Sequence, residues 1–142
     1  MRRPTQLLRD DGQAVVEFAL VLPLLMGLVL GIVQFGIVFN NYETLTDAAR
    51  VGARKAAVSR LVGDNGASGQ AAAYAAASGL SKPPLVVDVT SCAPGTSPCT
   101  TQDWTTPGNE VTVTATYPYA IKILDWTIAG GNLTTVTKER LE

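Results

Sequence analysis

The sequence predicts an α+β protein in which a long N-terminal α-helix carries a small head of one short helix and about three antiparallel strands. Three observations predict this fold. An uncharged apolar run continues into a helical pattern with no proline or loop signal between them. A short alanine-rich run follows, and the last third alternates apolar residues with threonine at the two-residue spacing of β-strands.

The apolar run predicts a membrane span. Between Glu17 and Glu43 there are 25 consecutive uncharged residues, and Phe18 to Phe39 is almost wholly apolar. About 20 such residues cross a ~30 Å hydrocarbon core. A secretory signal has a shorter apolar region of about 7–15 residues and a small-residue cleavage site, and no such site follows here. A buried core helix is the other alternative, but few cores of this size could surround a helix that is apolar on all sides.

The residues that flank the span predict its orientation. Arg2, Arg3 and Arg9 precede it, and basic residues favour the cytoplasmic side of a membrane. Asp10 and Asp11 reduce the net charge of this flank, but acidic residues carry little weight in that rule. We therefore expect the N-terminus inside and everything after about Asn40 outside the cytoplasm.

Beyond the span the helix changes character but does not stop. Small and apolar residues recur at three- and four-residue steps, which predicts one buried stripe. Asp47 and Arg50 are spaced to form an ion pair on another face. We predict one continuous helix of about 45 residues, roughly 65–70 Å long, and expect the sheet of the head to cover the stripe. Its members are Leu45, Ala48, Ala49, Gly52, Ala53 and Ala56.

The head is predicted from turn signals and alternation. Gly63 to Gly66 ends the long helix, and Gly79 ends a second one. Lys82-Pro83-Pro84 marks the change to β structure. In the clearest strand, Val111, Val113, Ala115 and Tyr117 share one face. The alternation of the last strand slips around Thr134 and Thr135, for which a β-bulge is the expected explanation. The predicted elements are a helix over Ala67–Ser78 and strands over Leu85–Ser91, Glu110–Tyr117 and Asn132–Leu141.

The two cysteines favour a disulfide. Cys92 and Cys99 flank six residues of turn-forming composition, and a disulfide closing such a loop suits an oxidising compartment. The alternative is a zinc site. Two cysteines alone cannot complete one, and the chain has no histidine to add the usual nitrogen ligand.

Composition argues against several functions. The net charge is −1 with no basic patch, which argues against a nucleic-acid partner. An enzyme needs a nucleophile with a base, or a metal site, and the Ser/Thr-rich loops offer neither evident partner nor ligand. We expect no catalytic residues, no cofactor, no metal and no small-molecule substrate.

Glu17 is the main candidate functional residue. A carboxylate buried near lipid costs about 2–3 kcal/mol even on lenient scales, so such a residue is a functional candidate. Alternatively, Glu17 marks the cytoplasmic edge of the span and reaches into the headgroups.

A family resemblance bears on this choice. Gly12 followed by Glu17-Phe18 resembles the processing site of type IV pilin-like proteins. The longer segment from Gly12 to Leu25 resembles the TadE-like family, the minor pilins (pseudopilins) of tight-adherence (Tad or Flp, type IVc) pili. The segments Gly31–Gly36 and Ala48–Arg54 also resemble it. The similarity is close from Gly12 to Ala57, and the head is similar only in outline.

The resemblance implies a pilin-like fold and a structural role in pilus assembly, priming and adhesion. A prepilin peptidase would cut between Gly12 and Gln13, and a membrane assembly platform and an ATPase would draw the chain into a filament of pilin subunits. The amine created at Gln13 would then meet Glu17 of a neighbour, with Phe18 beside it, and set the register.

On this basis residues 1–12 are a cytoplasmic leader peptide, 13–40 a transmembrane and filament-core helix, and 41–142 an extracytoplasmic pilin-like head. The expected location is the bacterial cytoplasmic membrane, in contact with lipid, and the extracellular pilus after assembly. The alternative function is a single-pass, membrane-anchored binding or adhesin module that is neither processed nor assembled.

Four features stay open at this level. Gly27 and Gly31 allow close helix packing in the membrane, but glycine is common in spans. Pro23 is either a tolerated kink or a point where the helix stretches during assembly. Trp104 is either a core residue or an exposed anchor. The apolar segment from Ile121 to Ile128 is either a core-covering loop or a contact for another subunit.

Overall fold

The computed structural model describes residues 7–61, 63–80, 84–99, 101–123 and 126–142. The elements are α1 (Leu7–Ala57), a 3₁₀ turn (Ser59–Leu61), α2 (Ala67–Ala76) and three strands. The strands are β1 (Val86–Cys92), β2 (Glu110–Ile123) and β3 (Trp126–Arg140). The α+β prediction is therefore confirmed. Arg2, Arg3 and the predicted boundary at Lys82-Pro83 lie outside the described residues.

Helix α1 is continuous, as predicted, and longer than predicted, but it ends at Ala57 and a 3₁₀ turn follows it, so the predicted end at Gly63 to Gly66 is wrong. It has 51 residues with Pro23 inside it, which makes it roughly 75 Å long at 1.5 Å per residue. It begins at Leu7 and passes through Gly12. The peptide bond between Gly12 and Gln13 therefore lies within helical backbone.

The sheet is antiparallel with strand order β1-β2-β3. Val111, Val113 and Ala115 are fully buried on one face of β2, and Tyr117 packs against the same core, so the predicted inner face is confirmed. Both β2 and β3 are longer than predicted because they continue together beyond the end of β1 as a two-stranded hairpin.

The bulge predicted at Thr134 and Thr135 is wrong. Both residues pair regularly, with Thr116 and Ala115. Thr135 is buried, whereas Val136 is 54% exposed, so a threonine occupies an inward position and a valine an outward one. The register shift lies between Ile121 and Lys122 instead.

The segment from Ile121 to Ile128 is not a core-covering loop. Ile121 to Ile123 end β2, and Trp126 to Ile128 begin β3. Trp126 is 82% exposed and Ile128 is 64% exposed. The described part of this segment is therefore the outer end of a hairpin and does not cover the core.

The core lies between the C-terminal part of α1, α2 and the sheet. The whole predicted stripe of α1, from Leu45 to Ala56, is buried. The sheet contributes the β2 residues above together with Val87, and Leu85 and Leu141 join the core from just outside β1 and β3. At the end of the chain the Glu142 N–H donates to the Ala57 carbonyl at 3.0 Å, which fixes the end of β3 beside the end of α1.

The sheet covers only part of the stripe, because α2 crosses α1 at Gly52. A Cβ on Gly52 would lie 2.8 Å from the Cβ of Ala73 and 3.1 Å from the Gly69 carbonyl oxygen. The two helices therefore approach through small residues on both sides. The Tyr74 hydroxyl accepts the Val87 N–H at 3.3 Å, and the Gln70 amide donates to the Val87 carbonyl at 2.7 Å, which joins α2 to β1.

The segment between β1 and β2 is held by a disulfide and by Trp104. Cys92 and Cys99 are bonded with a Cα–Cα distance of 5.9 Å, as the sequence predicts. Trp104 is 8% exposed and its indole ring packs over Gly66, which has a φ of +82°. Trp104 is thus a core residue, and the exposed-anchor alternative is wrong.

Candidate functional site

The N-terminal half of α1 carries the predicted functional residues and leaves the head entirely. None of the residues from Gly12 to Thr44 is buried, and Leu45 is the first buried residue after Gly12. A helix that is apolar on all sides and covered by nothing requires an apolar environment from outside the chain. Its exposed large apolar residues include Val15, Phe18, Leu20, Leu24, Leu28, Ile32, Phe35 and Phe39.

The length of this segment suits a bilayer. From Phe18 to Phe39 the helix rises about 32 Å at 1.5 Å per residue, and a hydrocarbon core is ~30 Å thick. Glu17 then stands at one boundary and Asn40 at the other. The helix can therefore span with its polar neighbours on either side at the headgroups.

Gly12, Gln13 and Glu17 lie near the N-terminal end of α1, which begins at Leu7. The Gln13 side-chain amide donates to Glu17 Oε1 at 3.0 Å, one helical turn away, and both side chains are exposed. A Cβ on Gly12 would meet nothing within 4 Å. The candidate processing bond and the carboxylate are thus on an accessible stretch of helix that contacts no part of the head.

The helix-packing candidates are equally free of intrachain contacts. A Cβ on either Gly27 or Gly31 would meet nothing within 4 Å. These glycines therefore leave a shallow, uncovered surface on the helix, open to a neighbouring helix, and self-packing remains a prediction. Pro23 lies inside the continuous helix, where it removes one backbone hydrogen bond.

The described part of the head contains few side-chain groups that could form a binding or catalytic site. Among the described residues no group of three or more histidine, cysteine, aspartate or glutamate side chains could hold a metal ion. The clearest electrostatic feature is Asp103. Hydrogen bonding by Thr106 and Thr105 holds the pKa of this carboxyl well below its ordinary value. The contacts include the Thr105 N–H at 2.8 Å and the Thr105 hydroxyl at 2.7 Å, so Asp103 organises a turn.

Two structural features were not predicted from the sequence. The Gly52–Ala73 contact could have been found from the matching four-residue spacings of Gly52 with Ala56 and of Gly69 with Ala73. The hairpin that extends beyond β1 did carry a signal, because Tyr119, Ile121 and Ile123 continue the two-residue spacing of β2, but the strand was predicted to end at Tyr117. The predicted pair of Asp47 and Arg50 is present at 3.5 Å but is well exposed and adds little stability.

A long helix with a free apolar half and a half packed under a three-stranded antiparallel sheet defines a pilin-like α+β protein. Residues 12–54 match the model of the TadE-like protein family, which confirms the resemblance over that segment. The match covers less than half of the chain, and the matched family is one of pilin-like proteins associated with the Tad pilus. The family is one of structural pilus components. Together with the one helix among the described residues that is long and apolar enough to cross a membrane, the match indicates membrane anchoring.

No curated protein and no solved structure matches the chain.

Proposed function

We propose that this protein is a minor pilin-like subunit of a Tad-type pilus. It is inserted with its N-terminus inside, processed between Gly12 and Gln13, and then moved from the membrane into a filament, where it acts in assembly, priming and adhesion. Its partners are other pilin subunits, the prepilin peptidase, the membrane platform and lipid. The observation that carries the proposal is the uncovered apolar half of α1, continuous with the half that is the core of the head.

Continuity of the helix explains how one segment serves both states. The apolar half needs an apolar environment, which lipid provides before assembly and neighbouring helices provide in a filament. Because α1 continues without a break into the buried stripe that starts at Leu45, any movement of the apolar half moves the head with it. The distance between the head and the apolar half of α1 is therefore the same in the membrane and in the filament.

Gly12 suits a processing site for two physical reasons. It lacks a side chain, so a peptidase can approach the backbone closely. Glycine also destabilises a helix by about 1 kcal/mol relative to alanine, which makes the helix easier to open next to the bond that is cut. Both properties support cleavage at an exposed helical position.

Glu17 would act after cleavage. In the membrane it lies at the cytoplasmic boundary, where a carboxylate is tolerated. Drawn into a bundle of staggered helices, it would be desolvated, and the new amine at Gln13 of a neighbour would offset that cost. Gln13 and Glu17 already share one face of the helix. A partner helix that presents its amine to this face would be held in one register.

N-terminal mass spectrometry of the full chain, expressed with and without its prepilin peptidase, tests the proposal. The expected mature terminus is Gln13, formed only with the peptidase. Gly12→Leu should block the cut. Gly27→Leu is the matched control, because it adds the same side chain to the same exposed helix away from the bond.

An intact Met1 in the presence of an active peptidase would contradict the proposal. It would favour the alternative function, a membrane-anchored binding module that uses α1 only as a tether. Cleavage at another bond would move the processing site and remove the role given to Gly12.

A further inference from the structure

The β2–β3 hairpin extends well beyond the core. We call its outer part, residues 118–123 and 126–132, the hairpin arm. It begins after the Tyr117–Leu133 pair, whose side chains are the last of these two strands to pack against the core. In β3 every arm residue from Trp126 to Asn132 is exposed. In β2, Pro118, Ala120 and Lys122 are exposed, whereas Tyr119 and Ile121 are half-buried, so the arm is a two-stranded ribbon that lies largely outside the core.

The direction of the arm follows from where the strands are fixed. The end of β3 is bonded to the end of α1 through Glu142 and Ala57, and the described part of α1 extends from there only toward its N-terminus. Leu45 belongs to the same core as the inner face of β2, and Tyr117 and Leu133 pack against that core, so β2 and β3 run from the Ala57 end back along α1. The arm thus leaves the core at the Leu45 end, toward the apolar half of the helix.

The length of the arm is enough to reach the membrane surface. From the Tyr117–Leu133 pair to the Ile123–Trp126 pair the ribbon spans six residues, or ~20 Å at about 3.3 Å per residue. From Leu45 to Asn40 the helix rises only ~7.5 Å. An arm inclined by as much as about 60° to the helix would still advance ~10 Å along it, so its end reaches the level of Asn40.

The composition of the arm suits a membrane interface. Trp126 is 82% exposed and Ile128 is 64% exposed, and tryptophan is enriched where hydrocarbon meets headgroups. The register shift between Ile121 and Lys122 makes Ile128 the extra residue of β3. Lys122 is also exposed and can meet anionic headgroups. The arm is braced by Tyr119, whose ring lies 3.4 Å from a Cβ built on Gly131.

We propose that the hairpin arm docks on the outer surface of the membrane that α1 spans, with Trp126 and Ile128 inserted at the headgroup level. The inference rests on the proposed function for the position of the membrane. Lipid is favoured over a second protein because the end of the arm reaches the level of Asn40, where α1 leaves the bilayer, and because the exposed Trp126 suits that depth. Insertion is shallow, since the unpaired edge of β3 cannot be buried in hydrocarbon without losing hydrogen bonds to water.

The two tryptophans supply the experiment. The full chain is reconstituted in vesicles of phosphatidylcholine and phosphatidylglycerol with brominated acyl chains, and tryptophan emission is measured. Trp126→Phe leaves Trp104, which is buried in the head, as the reporter; Trp104→Phe leaves Trp126. If Trp104→Phe does not fold, subtracting the Trp126→Phe signal from that of the unmodified chain isolates Trp126. The head can lie inside or outside the vesicle without changing the result, because the lipids of both leaflets are brominated.

We expect bromine near the headgroups to quench Trp126 strongly, bromine deep in the chains to quench it weakly, and Trp104 to be unquenched by both. If Trp126 is unquenched and accessible to water while the chain resists extraction by alkali, the docking of the arm is overturned. The proposed membrane-anchored pilin is then unaffected. Unquenched Trp126 that becomes shielded as protein density rises also overturns the docking and assigns the arm to a second copy. A chain that alkali extracts overturns both proposals.

Discussion

Gly69 lies so close to Ala56 that a Cβ placed on Gly69 would be 2.5 Å from the Cβ of Ala56. The same Cβ would be 2.8 Å from the carbonyl oxygen of Gly52. Both neighbours are parts of a rigid helix and cannot rotate away. The crossing of α1 and α2 therefore depends on the absence of a side chain at this position.

Gly69→Ala should destabilise the head. Overpacking a close helix contact costs about 1–3 kcal/mol in the free energy of unfolding, more than the gain in helix propensity that alanine brings. Denaturant unfolding of the full chain in detergent, followed by tryptophan fluorescence, measures the change. Gly79→Ala is the control, since a Cβ there meets nothing within 4 Å. Equal stability of the two variants would contradict the close crossing.

Gly66 and Gly63 form a second matched pair. Both have positive φ, +82° and +73°, but only at Gly66 would a Cβ collide with the Trp104 ring. Gly63→Ala should cost about 1–2 kcal/mol for the left-handed conformation alone. Gly66→Ala should cost a further ~1–3 kcal/mol through the displaced indole. The same unfolding experiment compares them, and equal losses would show that Trp104 does not pack there.

Asp103 predicts a pH dependence. Its folded-state pKa lies well below the ordinary value of 3.8, so the carboxylate stabilises the fold above that ordinary value. The contribution is lost progressively as pH falls below about 4, toward the folded pKa. Unfolding measured from neutral to acid pH should show this loss. Asp103→Asn should be less stable at neutral pH and lose less on acidification.

Thr105→Val refines that experiment. It removes the hydroxyl that donates to Asp103 at 2.7 Å and leaves the backbone N–H bond in place. The acid-dependent loss should shrink without vanishing. A full acid response in both Thr105→Val and Asp103→Asn would assign it to other groups.

The parts of the fold that depend on local pattern could be predicted from the sequence. The continuous α1 follows from an unbroken helical pattern from Phe18 to Ala57, and the inner face of β2 from its strict alternation. The candidate site was proposed partly from local pattern and partly from the resemblance of Gly12 to Phe18 to a pilin processing site, and its role stays a prediction. Glu17 stands out in the linear sequence because it is a charged residue directly before a long apolar run.

The rest depends on which surfaces meet, and local pattern does not determine that. Thr135 points inward and Val136 outward because pairing with β2 fixes the register, so the apolar positions of β3 misled the bulge prediction. Trp104 is a core residue because its indole ring packs over Gly66, a contact between two distant parts of the chain that local pattern does not reveal. The hairpin arm was missed because the predicted strand stopped at Tyr117, before Pro118, although Tyr119, Ile121 and Ile123 continue its alternation.

The disulfide should stabilise the folded head and should not affect the anchoring of α1 in the membrane. It closes a loop with a sequence separation of 7, for which the loss of chain entropy in the unfolded state predicts about 2.5 kcal/mol of stabilisation. Replacing Cys92 and Cys99 together by serine should lower the free energy of unfolding by that amount. Membrane extraction by alkali is the control and should be unchanged. A variant as stable as the parent would contradict the entropic account.

Glu17→Ala tests the register role in cells. The substitution removes the acceptor of the Gln13 hydrogen bond and, in a filament, the counter-charge for a neighbour's N-terminal amine. Insertion should be normal or improved, because a charge at the membrane edge is lost. Recruitment into pili should fall by an order of magnitude or more, since an uncompensated amine would then be buried.

The control is Glu43→Ala, which removes the acidic residue at the opposite end of the same uncharged run. Glu43 is exposed beside the head and stays at the surface in the proposed arrangement, so this variant should assemble normally. Immunoblotting of sheared pili against membrane fractions measures both. If Glu17→Ala enters pili as well as Glu43→Ala does, the carboxylate has no role in register, and apolar packing of α1 alone drives assembly.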